Sequence, residues 1–194
     1  MNDHNRHEVS LSLTQKIAIL LFGANGSEPI KGKLWFQKEL FLISKSIPEL
    51  EEEAEFESDF MGPYSELADE QADRLRVERI LDSTQKQLTP LGHKIEEQTK
   101  REFGLDTVCF IQEMKAFLND LSKDELLGFI YYSYPDMRSD SLEFNRISLK
   151  RKEIAIRLFK KRKISLGKAA VIAGLTQEEL IELLQSIGIA VFAE

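Results

Sequence analysis

The chain has 194 residues, 42% of them apolar and 30% charged, with a formal charge of −7, which is the composition of an ordinary globular protein and excludes a disordered or fibrous one. The length suits one domain or two small ones, and five prolines and ten glycines leave room for long elements. No apolar run approaches the roughly 18 residues that cross a bilayer, and the polar opening Met1-Asn-Asp-His-Asn-Arg-His7 is unlike a secretory signal, so a cytoplasmic location with no membrane partner is expected.

A helix is predicted from Ser12, where Ser12-Leu-Thr-Gln15 has the form of a capping box and Leu13, Ile17, Leu20 and Leu21 share one face, with Gly23 as its stop. After the turn cluster Asn25-Gly-Ser-Glu-Pro29, a second helix is predicted from Ile30 to Ile47. Its stripe of Phe36, Leu40, Ile43 and Ile47 is broadened by Leu34, Trp35, Phe41 and Leu42, so it is buried on more than one side until Pro48 ends it. The run Glu51–Glu53 reads as a solvated loop, and Phe56 to Phe60 alternates weakly. Met61-Gly-Pro-Tyr-Ser65 is a turn presenting Ser65 as the cap of a helix from Glu66 to about Leu81, whose first-turn acids suit the macrodipole. Ile80 to Gly92 has apolar ends around a polar middle, the pattern of a β-hairpin feeding a helix from Thr89.

An apolar helix around Phe110, Met114, Phe117 and Leu118, and another opened by the capping box Ser122-Lys-Asp-Glu125 and running through Tyr132, would close a first core. The single cysteine, Cys109, lies in the apolar stretch Val108-Cys-Phe-Ile111 and is expected to fill core space. Tyr134 to Ser141 gathers turn formers without periodicity. The expected architecture is therefore mainly α with a small β-hairpin wing: a winged-helix-like domain at 10–132, a linker at 134–148, and a basic helix feeding a helix-turn-helix at 149–192.

Charge is distributed unevenly. Lys150, Arg151, Lys152, Arg157, Lys160, Lys161, Arg162 and Lys163 are opposed only by Glu153, a cationic block of the kind that displaces counterions from phosphates. Between Glu49 and Glu78, by contrast, twelve acids face two arginines. Downstream of the block, Ala170 and Gly174 supply a small residue for a helix crossing and a glycine for a tight turn. Ala169, Ala173, Leu175, Leu180 and Leu183 fall where two helices would pack, and Thr176-Gln-Glu-Glu179 caps the second. Any two short helices joined by a glycine turn can carry this pattern. A base-reading helix presents Arg, Lys, Asn or Gln to the groove, yet 176–186 presents Glu178, Glu179 and Glu182, with Gln177, Gln185 and Ser186 as its useful polar groups.

Residues 154–189, beginning Ile154-Ala-Ile-Arg-Leu-Phe-Lys-Lys-Arg-Lys-Ile-Ser-Leu-Gly-Lys-Ala-Ala-Val-Ile-Ala-Gly-Leu175, resemble the core of a small uncharacterised prokaryotic protein family regarded as antitoxin-like DNA binders. The shared pattern is a basic amphipathic helix, then I-S-L-G-K-A-A-x-x-A-G, then a helix ending in G-I. More loosely, the N-terminal part resembles winged-helix domains of archaeal and bacterial regulators, including a domain found in other antitoxins. That resemblance rests on Ile30 to Leu42 with its Gln37-Lys38 pair, Gly62-Pro-Tyr-Ser65, and Leu88-Thr-Pro-Leu-Gly92. What these resemblances imply is a DNA-binding regulator of antitoxin type, with a toxin as its protein partner.

No G-x-S-x-G, H-E-x-x-H, G-x-x-x-x-G-K or G-x-G-x-x-G motif occurs, which removes the enzyme classes built on them. His93 has no nucleophile or ligand pattern near it, and His4-x-x-His7 at the terminus reads as incidental, so no catalytic residue, metal site or cofactor is expected. The expected function is non-enzymatic binding of double-stranded DNA. Arg157, Lys160, Lys161, Arg162, Lys163 and Lys168 would contact phosphates, and Thr176, Gln177 and Gln185 would read bases. The rival is a protein-interaction module that binds no DNA, its basic helix paired with an acidic partner or with the chain's own 49–78 surface. The apolar tail Ile187-Gly-Ile-Ala-Val-Phe192 would join two copies as a homodimer across two half-sites.

Overall fold

The computed structural model describes residues 10–84 and 87–190, so His4, His7, Gln85, Lys86, and Val191 and Phe192 of the apolar tail lie outside the described residues. The described chain is mainly helical, and none of its helices is long and apolar enough to cross a membrane.

Helix α1 (Leu13–Ser27) opens on the expected capping box: the Ser12 hydroxyl accepts from the Gln15 N–H at 3.2 Å and Gln15 Oε1 accepts from the Ser12 N–H at 3.0 Å. Its helical path breaks at Ala24 rather than at Gly23. Gly23 instead permits close packing, since a β-carbon there would stand 2.1 Å from the carboxyl carbon of Glu96. The carbonyls of Leu21, Phe22 and Ala24, left open by the break, accept from the ammonium of the buried Lys115 at 2.9, 3.2 and 3.1 Å. A lysine on another helix thus caps this one.

Helix α2 (Lys33–Ser44) is followed by α3 (Pro48–Ala54), so the Glu51–Glu53 run is helical rather than looped. Buried Leu50 and Ala54, four residues apart, hold α3 to the core, and the Glu53 carboxylate accepts from the N–H groups of Leu13 and Thr14 at the start of α1. In α4 (Glu66–Val77) the expected cap is present, the Ser65 hydroxyl accepting from the Ala68 N–H at 2.9 Å. Gln37 holds the backbone of Ser65 from both sides, Nε2 donating to its carbonyl and Oε1 accepting from its N–H at 3.0 and 2.9 Å, while Lys38 Nζ donates to Pro63 O at 2.7 Å. Gly62, at φ 83°, lies so close to the Tyr131 ring that a β-carbon would meet it at 2.9 Å. The Gln37-Lys38 and Gly62-Pro-Tyr-Ser65 motifs therefore form one structural unit that pins the 55–65 loop.

The β-hairpin wing is not present among the described residues. A single antiparallel bridge joins Leu81 to Leu88, flanked by backbone bonds from Asp82 N–H to Gln87 O and from Thr89 N–H to Ile80 O, and Thr84 Oγ1 and the Gln87 N–H both donate to the Asp82 carboxylate. A run without alternating apolar residues has no face to bury and so does not extend into strands. Helix α5 (Pro90–Asn119) covers both the predicted helix from Thr89 and the one around Phe110, with a break between them at Gly104, whose φ of 78° and ψ of 172° suit only glycine. Cys109 is exposed on it rather than in the core. Next come α6 (Lys123–Ser133), a 3-10 turn (Pro135–Arg138), α7 (Phe144–Leu149), α8 (Arg151–Lys160), α9 (Leu166–Ala173) and α10 (Gln177–Ser186).

Two apolar clusters organise these elements. One gathers α1 to α4, the Leu81–Leu88 bridge and Ile111 of α5. The other gathers Phe41 and Leu42 of α2, Leu118 and Leu121, α6, Ile147 of α7, and α8 to α10. Trp35, Phe56 and Met114 touch both, so α2 is buried on two sides as its wide arc requires. Segment 134–148, expected as a linker, is a packed connection: Tyr134, Met137, Phe144 and Ile147 contribute to the second cluster, and Gly128 of α6 sits so close to Ile154 of α8 that a β-carbon would meet it at 2.8 Å.

Candidate nucleic-acid interface

Helices α9 and α10 have the connectivity of a helix-turn-helix. The Ser165 hydroxyl caps α9 by accepting from the Lys168 N–H, and Gly174 ends it in the left-handed conformation at φ 71°. Thr176 and Glu179 form the expected capping box on α10. Ala169, Ala170, Ala173, Leu180 and Leu184 are buried between these helices and α8, with Leu175 and Leu183 packed at the margin. Gly174 also admits the Arg151 guanidinium, which a β-carbon would meet at 2.5 Å. From there Arg151 donates to Ile172 O and Val171 O at 2.7 and 2.9 Å and stacks 4.3 Å from the Tyr132 ring centroid. One cation of the basic block is thus the C-terminal cap of α9.

Much of the rest of that block is engaged by the chain itself. Glu125, 2% exposed, accepts at Oε2 from the Ser122 N–H at 2.8 Å and from Lys161 Nζ at 2.9 Å, while Arg157 Nε stands 3.4 Å from Oε1. Burial alone would raise the pKa of this carboxyl, but the bonds from Ser122 and Lys161 outweigh it and hold the group below the ordinary glutamate value. Arg157 also pairs with Glu153 at 2.7 Å, Lys163 with Asp120 at 3.2 Å, and Lys150 with Asp124 at 3.0 Å. Apart from Glu153 on α8 itself, these ion-pair partners of the basic helix are on and just before α6, and among the described residues the 49–78 surface supplies none. These pairs seat α8 on α6.

Three cations of the block, Lys152, Lys160 and Arg162, are exposed and have no ion pair among the described residues. Lys152 is eight residues before Lys160, about 12 Å away along the helix axis. Lys160 and Arg162 sit together where α8 ends, and Arg162 itself takes the left-handed conformation at φ 56°. The chain then enters α9, which carries Lys168. Its ammonium lies 5.9 Å from the Phe129 ring centroid, and burial lowers its pKa. The start of α10 is also close: a β-carbon on Gly167 would lie 3.3 Å from the Gln177 amide nitrogen. Lys160 and Arg162 thus lie in the chain just ahead of α9, whose first turn carries Lys168 and, at Gly167, approaches Gln177 of α10. Thr176 is committed to its cap, and Gln185 is eight residues beyond Gln177, about 12 Å along α10. Glu178, Glu179 and Glu182 are exposed around them. Among the described residues, no group of three or more His, Cys, Asp and Glu side chains is placed to hold a metal ion.

The neutralising role of Glu125 has a partial sequence signal, since its capping box is legible. Its pairing with Lys161, 36 residues away, is not. Arg151 had no signal beyond its charge.

Residues 130–193 match the model of an uncharacterised protein family, UPF0175. The match begins inside α6 and takes in α7 to α10, the stretch that shares the second apolar cluster. No curated protein and no solved structure matches the chain.

Proposed function

We propose that the chain is a non-enzymatic regulator that binds double-stranded DNA through its C-terminal helix-turn-helix, as an antitoxin-type protein would. The observation that carries this reading is that Lys160 and Arg162, exposed and without an ion pair among the described residues, close α8 just ahead of α9, whose first turn carries Lys168 and approaches Gln177 of α10. Phosphate oxygens would lie there, with backbone N–H groups at the start of α9 adding to the cations. Arg157, Lys161 and Lys163 belong to the fold in this reading and Thr176 to a cap, leaving Gln177 and Gln185 as base readers. The acidic face of α10 makes backbone and shape readout the larger share of recognition.

A second reading, a protein-interaction module with a toxin or another cationic partner, is favoured by the same glutamates, which repel phosphate and attract basic side chains. Titration into labelled duplex DNA at low and near-physiological salt separates the two. Under the DNA reading, Lys160→Ala with Arg162→Ala abolishes binding and leaves the urea midpoint unchanged, whereas Lys161→Ala with Lys163→Ala lowers the midpoint. A wild-type protein that binds no duplex at low salt would leave the interaction module as the function.

A further inference from the structure

A groove of about 490 Å³ opens where α2, α5 and α6 meet the α8–α9 turn. Its floor is apolar, built from Leu42, Met114, Phe117 and Phe129, with the Phe117 and Phe129 rings edge-on at 5.2 Å between centroids. Two ammonium groups stand by aromatic rings here, over Tyr134 and Phe117 of the lining and over the buried Phe41 behind it. Lys45 Nζ is 4.9 Å from the Phe41 centroid and 5.9 Å from that of Tyr134, and Lys163 Nζ is 5.4 Å from that of Phe117. Their carboxylate partners, Glu51 and Asp120, have side chains 48% and 54% exposed and do not line the groove, so an anionic head group can share each ammonium with a partner that solvent already screens. Glu113 is the one acid in the lining, against two lysines.

We propose that this groove binds a small amphiphile consisting of an apolar chain or ring with one anionic head group. The volume lies within the range of small-molecule sites, and the seam between two apolar clusters is a common location for one. An apolar body would cover the exposed ring surface, and a carboxylate or sulfonate head would replace Glu51 or Asp120 on its lysine. A cationic head would meet Lys45 and Lys163 and is excluded by charge.

The test is calorimetric titration of the full chain with sodium decanoate, with decanol and decyltrimethylammonium as comparators of equal chain length and the Met114 methyl resonance as a site-specific readout. Decanoate is expected to bind saturably and shift that resonance, and each comparator to bind about tenfold or more weakly, as expected for loss of one charge-assisted contact. Ser46→Trp, which fills the exposed mouth, should remove binding with no loss of folding stability, and Lys45→Met with Lys163→Met should weaken it about tenfold while keeping the aliphatic stems in place. Decanol binding as tightly as decanoate, the absence of saturation, or wild-type affinity in the Ser46→Trp variant would each overturn the proposal.

Discussion

Replacing Arg162 by glycine separates binding from stability because the two effects have opposite signs. Arg162 follows α8 in the left-handed region at φ 56°, its N–H donating to Phe159 O at 2.8 Å and the next N–H, of Lys163, donating to Leu158 O at 3.0 Å. This is the Schellman closure, whose left-handed position glycine normally occupies. A side chain there costs about 1 kcal/mol, and glycine's greater freedom in the unfolded chain offsets about half of it. The arginine forms no ion pair among the described residues, so no compensating contact is lost. Arg162→Gly is therefore expected to stabilise the fold by about 0.5 kcal/mol while removing one phosphate contact, which lowers the slope of log affinity against log salt by about 0.9. Urea denaturation and fluorescence anisotropy on a labelled duplex measure the two effects on one protein sample. A destabilised variant would show that the guanidinium holds structure, and an unchanged salt slope would remove Arg162 from the interface.

Glu125→Gln keeps an oxygen for the Ser122 N–H but loses the charge facing Lys161 and Arg157. Because those side chains are 36% and 38% exposed, the expected cost at neutral pH is about 1 kcal/mol, as for a screened pair. The folded-state pKa of Glu125 is depressed, so its contribution is present above the ordinary glutamate value and lost as pH falls through the folded value; a difference from wild type that persisted unchanged in acid would contradict this. Gly174→Ala combines a left-handed backbone with the 2.5 Å approach to Arg151 and should cost about 2 kcal/mol. In an Arg151→Ala background the steric part is gone, so a double-mutant cycle by thermal melting should return a coupling of about 1 kcal/mol, and strict additivity would count against the clash.

Glu39 is buried with no hydrogen-bond partner for either oxygen among the described residues, and burial, opposed by Lys115, pushes it up to about 8. With a raised folded pKa, its contribution is full below the ordinary glutamate value and lost as pH rises toward 8. Lys38 and Lys115, lowered by burial to about 7 and 8, contribute above the ordinary lysine value and lose that contribution as pH falls through 8 and 7. Between about pH 5 and 7 the decline with rising pH therefore belongs to Glu39. Glu39→Gln should flatten the urea midpoint across that window, and a variant profile parallel to wild type would reject the assignment.

Elements whose signals are local were legible in the sequence. The capping boxes at Ser12, Ser122 and Thr176, the Ser65 cap and the glycine turn at Gly174 each involve residues three or four apart and formed as expected. The two-sided burial of α2 followed from the width of its apolar arc. Periodicity could not show that the pairing of Leu81 with Leu88 stays a single bridge, because a strand pair needs an apolar face to bury and the polar run after Leu81 does not supply one. Nor could composition show which cations of the basic block stay free. That depends on Asp120, Asp124 and Glu125, brought against α8 by the packing of α6, and a helix reads as a continuous charged surface until its neighbour is placed. Gln37 and Lys38 are legible as part of a motif, but their bonds to Ser65 and Pro63 span more than 20 residues and exist only in the fold.

Salt dependence tests this division of the basic block most directly. If all eight cations from Lys150 to Lys163 met phosphates, the slope of log affinity against log salt would be about −7, and raising salt from 50 to 200 mM would weaken binding about 20,000-fold. If Lys160, Arg162 and Lys168 alone reach phosphate, Lys152 standing about 12 Å away along α8, the slope is about −2.7 and the same change weakens binding about 40-fold. The two outcomes differ by more than two orders of magnitude, well outside the error of an anisotropy titration. A slope near −7 would mean that phosphate strips Arg157, Lys161 and Lys163 from Glu125 and Asp120. Glu125→Gln would then strengthen DNA binding little, because those cations would already be spent on phosphate. A slope near −3 means that Glu125 keeps them, and neutralising it should steepen the slope toward −4.5 as Lys161 and Arg157 are released to the duplex. The wild-type slope and its change on Glu125→Gln are thus tied to each other, and a shallow slope that fails to steepen would show that the ion pairs on α6 are not what withholds those side chains from DNA.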